Sequence, residues 1–139
     1  SRGLGDVYKR QEWDFERYKP DIIVINLGTN DMNYATTDER KAEFEDGYLD
    51  FLKKVRSLNP DSYIFQTYGV MGTSLEENIE NVRRKYMSET GDERITFIPL
   101  TMQDEDADGI VADWHPSPRT HSLVSQKVTA AIKKTLGYK

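Results

Sequence analysis

The run Asp21-Ile-Ile-Val-Ile-Asn-Leu27 is short, β-branched and apolar at both parities. That is the pattern of a central parallel strand covered by helices on each face. Pro20 marks the turn into it. Beyond Gly28 the polarity rises. Thr36-x-x-Glu39 then has the form of a capping box opening a helix near residues 38 to 58, with Phe44, Tyr48, Phe51, Leu52 and Val55 on its apolar stripe. Asn59-Pro60 stops that helix. A second strand is expected over Ser62 to Thr67, followed by a loop holding Gly69 and Gly72. Ser74-x-x-Glu77 opens a second helix that turns Leu75, Ile79, Val82 and Tyr86 inward and ends at Gly91. Arg94 to Leu100 forms a third strand, and an acidic loop runs from Gln103 to Trp114. Ser117-Pro118 begins the last helix, with Ser as N-cap and Pro at the first helical position.

Strands alternating with helices predict an α/β fold, a three-layer sandwich with a parallel sheet built from right-handed crossovers. In such sheets ligands bind beyond the carboxyl ends of the strands. Asn30 follows the first strand and the His115 loop follows the third, so residues 85 positions apart emerge on one edge.

Composition narrows the class. A chain of 139 residues with 37% hydrophobic content can bury one modest core, which means one domain or part of one. A net charge of −5, without any basic block, argues against nucleic acid and anionic membrane as partners. The absence of cysteine excludes a disulfide framework, a thiolate zinc site and a cysteine nucleophile; it fits a secreted or a cytoplasmic setting equally. No apolar run is long enough to span a bilayer, and the first residues lack the order of a signal peptide. Nothing in the sequence fixes an oligomeric state.

Residues 1–11 stand apart because they carry no apolar periodicity. Asp6-Val7-Tyr8-Lys9-Arg10-Gln11 is what the codons of a transposon mosaic end used in sequencing libraries would encode. The expectation is that residues 1–11 are translated adapter or another non-native tail, with a genuine polar tail as the alternative, and that residues 12–139 are the carboxyl-terminal part of a single domain, cut just before Glu12.

Gly28-Thr29-Asn30-Asp31 after a buried strand is by itself an ordinary loop, in which Gly turns the chain and Asn and Asp satisfy backbone amides. His115, between Trp114 and Pro116, is by itself an ordinary structural histidine. Together, the strand-end Gly-x-Asn-Asp and the Asp113-Trp114-His115-Pro116 just before the final helix resemble the SGNH, or GDSL-like, hydrolases. With Asp-Trp-His-Pro-Ser and the later His121, the chain looks most like carbohydrate esterase family two, whose members remove acetyl groups from sugars.

The resemblance implies that the Asn30 side-chain amide donates to the tetrahedral oxyanion, that His115 is the general base, and that Asp113 orients the imidazole. Gly28 and Trp114 fall on the substrate side, Trp114 as a stacking surface for a sugar ring or else as cover for the sheet. Tyr68, Met71 and Gly72 line the acyl pocket or pack the loop. Asp31 supports its loop through backbone hydrogen bonds. The implied substrate is an acetylated saccharide, with no cofactor and no metal. Asp113, His115 and His121 lack the helical spacing of a zinc site, and the acidic run from Asp104 lacks the last ligand of a calcium loop.

Two departures matter. The commoner superfamily spacing is Asp-x-x-His, whereas Asp113 precedes His115 by two, and related esterases can orient histidine with a main-chain carbonyl. The Gly-Asp-Ser block that carries the nucleophile is not identifiable: Gly5-Asp6 is followed by Val7, and the seven serines after Gln11 sit at caps, strand starts, loops and helices. The amino-terminal strands are therefore expected to be missing and the chain to be inactive alone. The alternative is a non-catalytic flavodoxin-like binding module.

Overall fold

β-branched and aromatic runs spaced by two long amphipathic segments fold as the alternation predicts. The computed structural model describes residues 12–139, so the adapter expected at 1–11 lies outside the described residues. β1 (Ile22–Asn26), β2 (Tyr63–Val70) and β3 (Ile95–Met102) form one parallel sheet in that spatial order. Ile22 pairs with Tyr63, and Ile64 with Ile95. The connections are α1 (Asp38–Leu58) and α2 (Glu76–Thr90); after β3 come the short α3 (Glu105–Asp108) and α4 (Pro118–Leu136).

The period of two along each strand sorts the core into layers. Ile25, Ile64 and Ile95 pack under Tyr48, Leu49 and Leu52 of α1 and Val82 and Tyr86 of α2. Phe65, Ile98 and Leu100 point the other way, onto Val124, Val128 and Ile132 of α4. The result is the three-layer sandwich. Ile64 and Phe65, neighbours on opposite faces of β2, are both fully buried. Each such side chain contributes about 1.5–3 kcal/mol on leaving water.

β1 departs from the expectation that helices cover both its faces. Among the described residues it pairs only with β2, and Val24 is 48% exposed on the face away from α1, with Leu27 at 42% just beyond the strand. The apolar run states what the strand is built to bury; these neighbours cover only one side of it. β2 and β3 each run a little further than expected, because Val70 still pairs with Met102 past an irregularity after Tyr68.

Capping also differs in detail. The N-cap of α1 is Thr37, whose hydroxyl accepts from the Arg40 amide, and not Thr36. Leu75 precedes α2 without a side-chain cap, so Ser74 does not fill the capping-box role. Gly91 ends α2 in the left-handed region, and Ser117 caps α4 with Pro118 next, both as expected. Within the acidic loop, Asp104 caps the turn α3.

At the amino ends of β2 and β3, opposite the loops that follow the strands, Arg56 acts as a clamp. Its guanidinium donates to the carbonyls of Ser62 (2.6 Å) and Arg94 (3.2 Å) and pairs with Asp92 at 2.7 Å. Burial pushes the Asp92 carboxyl up. Hydrogen bonds from Tyr86 and the Arg94 amide, with the Arg56 charge, outweigh it and hold the group at about 2. Between α1 and α2, burial likewise raises Glu45, and donation from Lys85, Asn78 and Asn81 brings its pKa below the usual value.

Candidate active site

A strand that ends must turn without colliding with its neighbours, and at Gly28 both demands fall on one residue. Gly28 is buried at φ 114°, a conformation closed to L side chains, and a Cβ there would stand 3.1 Å from the Tyr68 ring and 3.5 Å from Ile79. The next residues wind into a 3-10 turn, Asp31–Asn33. The Met32 amide donates to Gly28 O (3.0 Å), and the Ala35 amide to Asp31 O (2.7 Å). Asp31 therefore ties its loop through its main-chain carbonyl; its carboxylate is exposed.

Asn30 precedes that turn in right-handed helical backbone, exposed, and its side chain makes no cap hydrogen bond. Its side-chain amide is thus not spent on capping its own turn. Its position at the carboxyl end of β1 is one half of the sequence-derived pair.

The other half follows β3. Val111 begins a 3-10 turn over Ala112–Trp114 in which two non-glycine residues, Asp113 (φ 56°) and Trp114 (φ 61°), lie in the left-handed region. Left-handed backbone at consecutive non-glycine residues costs on the order of 1–3 kcal/mol each and persists only where surrounding bonds hold it. Those bonds are present. The Val111 amide donates to His115 O (2.9 Å), Ile110 bridges to Pro116, and the Gln103 side-chain amide donates to Trp114 O (2.8 Å). Ser117 Oγ donates to Asp108 O (2.6 Å) and Arg119 pairs with the Asp108 carboxylate (2.6 Å), fixing the acidic loop to the start of α4.

This turn presents His115, Trp114 and Asp113 to solvent, with Trp114 65% exposed. Among the described residues no hydrogen bond joins the Asp113 carboxylate to the imidazole, and none joins Asn30 to His115. The sheet puts both loops on one edge. Neighbouring strands lie about 4.8 Å apart, so the ends of β1 and β3 are separated by roughly 10 Å across β2.

Tyr68 is fully buried; its hydroxyl approaches Met32 Sδ (3.8 Å) and accepts from the Leu75 amide (3.4 Å), so it packs the loop. A Cβ on Gly72 would run into Met32 Sδ, so that glycine also serves close packing. His121 is exposed on α4, and the brace of the His115 loop falls to Gln103, Ser117 and Arg119. The sequence marked Ser117 only as the N-cap of α4 and gave no role to Gln103 or Arg119, since a Gln directly after β3 and an Arg in the first turn of a capped helix look like ordinary polar residues. An open, mostly apolar cleft of about 460 Å³ runs beside β1, lined by Leu27, Tyr34, Phe44, Tyr48 and Phe51; neither Asn30 nor His115 lines it.

Known proteins resemble this chain in sequence and fold. The cellulase/esterase of Acetivibrio thermocellus is 37% identical over 140 residues, covering 94% of this chain and 16% of that protein. An acetyl xylan esterase from the rumen bacterium Butyrivibrio proteoclasticus superposes with a TM-score of 0.88 at 26% identity, over 99% of this chain and 43% of that one. A family two carbohydrate esterase from Clostridium thermocellum, solved with cellohexaose, superposes with a TM-score of 0.84 at 36% identity, over 95% of this chain and 41% of that one. The chain thus spans less than half the length of each. Its residues 2–123 match the GDSL-like Lipase/Acylhydrolase family, and the chain belongs to that family.

Proposed function

We propose that this chain carries the oxyanion donor and the general base of a serine esterase that hydrolyses acetyl or other short acyl esters of carbohydrates. The serine belongs to an amino-terminal part of the same domain, which on this reading begins upstream of Glu12. The observation that carries the proposal is the placement of Gly28–Asp31 and Asp113–Pro116 on one edge of one parallel sheet, in a member of a hydrolase family with carbohydrate esterases among its structural relatives.

In the reaction, His115 takes the serine proton as the oxygen attacks the acyl carbonyl. Asn30 donates to the carbonyl oxygen as it becomes an oxyanion, a moment when a fixed neutral donor acts most strongly. Collapse of the intermediate releases the sugar hydroxyl, which takes its proton from His115; water then repeats the sequence on the acyl-enzyme. Asp113, two residues before His115, or a main-chain carbonyl orients the imidazole, and the exposed Trp114 offers a face to the sugar ring. No metal or cofactor enters.

The test joins this chain to the Gly-Asp-Ser-bearing part encoded upstream, which ordinary βαβ unit sizes put roughly 80 to 120 residues away. In the joined enzyme, Asn30→Ala is expected to lower turnover of an acetyl ester by about 10² to 10³. His115→Ala abolishes general-base catalysis. Near-normal turnover in either variant would overturn the assignment of that residue. Asp113→Asn at full activity would leave the orienting role to the backbone.

The exposed indole of Trp114 also favours a second reading, a binding module that holds saccharide without turning it over. A gluco-oligosaccharide titration followed by tryptophan fluorescence separates the two. Binding lost in Trp114→Ala, with no Gly-Asp-Ser block encoded upstream, supports the module.

A further inference from the structure

The turn that presents His115 is strained, and the Gln103 side chain bonds directly to the carbonyl of one of its left-handed residues. Gln103 stands directly after β3, where its amide donates to Val70 O at 2.9 Å. Val70 is itself left-handed at φ 62°. From this fixed base the Gln103 side chain reaches across to donate Nε2–H to Trp114 O at 2.8 Å. The orientation of the amide follows from its partner: a carbonyl only accepts, so the nitrogen must face Trp114 and the oxygen must face inward. There Oε1 is buried with no hydrogen-bond partner among the described residues. A buried amide oxygen left unmatched is costly, and such a cost is retained where the other half of the group has a task.

We propose that Gln103 is a positioning residue for His115: by holding Trp114 O it keeps Asp113 and Trp114 left-handed and so fixes where the imidazole sits. The role of His115 as base rests on the function proposed above; the pinning of the turn does not. Gln103 touches no reacting atom. It acts through one carbonyl on the residue before the histidine.

The full chain, labelled with nitrogen-15, tests this without any ester. It contains two histidines, His115 and His121, so the imidazole signals are assigned by a His121→Asn variant. In Gln103→Ala the His115 ring signals are expected to move to those of a mobile exposed imidazole while His121 stays in place. Exchange of the Val111 amide, which donates to His115 O, is expected to accelerate about fivefold, the weight of one ordinary hydrogen bond.

Gln103→Glu gives the second arm, since it keeps the shape and the backbone bond to Val70 but loses the donor when ionised. Its Val111 exchange is expected to be fast at neutral pH and to return toward wild type at acidic pH, after correction for intrinsic exchange, as the protonated acid regains a donor. Unchanged His115 signals in both variants would overturn the proposal. So would equal disturbance of His115, His121 and the sheet amides, or a Glu variant without acid recovery. Each of these outcomes leaves the hydrolase reading standing, which fails only in the joined enzyme.

Discussion

Single residues set the edge of the sheet that carries the candidate site. Gly28 is the sharpest case, since its φ of 114° and a Tyr68 ring that would stand 3.1 Å from any Cβ placed there act against every side chain. Gly28→Ala is expected to cost on the order of 2–3 kcal/mol, read as a lowered denaturant midpoint with unchanged slope. A loss under about 0.5 kcal/mol would show that the loop relaxes freely. Gln66 and Tyr48 make a second case, because Gln66 is fully buried in the sheet beside the Tyr48 hydroxyl, and among the described residues neither side chain meets a partner in good hydrogen-bond geometry. Burial pushes the Tyr48 phenol up to about 12, against a smaller downward pull from the Gln66 side chain. A raised folded pKa means that the folded state resists ionisation, so this contribution is intact below pH 10 and is lost as pH rises from about 10 to 12. Tyr48→Phe is expected to keep or raise the melting temperature at neutral pH and to blunt the alkaline loss. A marked drop at neutral pH would mean that the hydroxyl has a partner.

The catalytic candidates are legible at this scale through spacing and residue type: Asn30 and His115 each follow a strand. Gln103 is not, because a glutamine after a strand looks like any polar loop residue. Its significance depends on a partner 11 positions away that the chain reveals only when folded.

Elements are legible wherever a local rule sets the boundary. Helix α1 covers the span its apolar stripe marks, and Ser117-Pro118 opens α4 as capping chemistry requires. The rule fails where two candidates compete, Thr36 against Thr37, and where packing of Leu75 in the core sets the start of α2 without a side-chain cap. Ser117 does two tasks, accepting from the Thr120 amide and donating to Asp108 O. Ser117→Ala should therefore cost about 1–2 kcal/mol by loss of the cap. It should also loosen the acidic loop, seen as faster exchange at Asp108 and Gly109. A cost without that loosening would limit its role to the cap.

The clamp at the other end of the sheet predicts acid behaviour. Asp92 is held at about 2, below its ordinary value of 3.8. A lowered folded pKa stabilises above the unfolded value and is lost as pH falls through the folded one, so the loss should run from about pH 4 down to 2. Asp92→Asn should remove that part of the acid transition and cost about 2 kcal/mol at neutral pH, the scale of a hydrogen bond to a charged partner. An acid transition identical to wild type would contradict it.

At the scale of the molecule, the sheet that brings Asn30 and His115 to one edge also leaves a flank open. Val24 and Leu27 are exposed along β1, whose single neighbour among the described residues is β2. An exposed, apolar strand edge pairs readily with other chains. Val24→Lys is therefore expected to shift the isolated chain toward monomer in sedimentation. Unchanged mass would mean that the edge is inert. The run from Ile22 to Leu27 has the pattern of a strand covered on both sides, and this is the place where the sequence describes a larger sheet than these elements form.

The central claim is that this chain holds the base and the oxyanion donor of an esterase but not its nucleophile. Pre-steady-state hydrolysis of 4-nitrophenyl acetate tests it most directly. The chain alone should release nitrophenolate no faster than free imidazole, and the chain joined to its upstream Gly-Asp-Ser part should show a burst followed by steady turnover. A burst from the chain alone, or none from the joined enzyme, would contradict the claim.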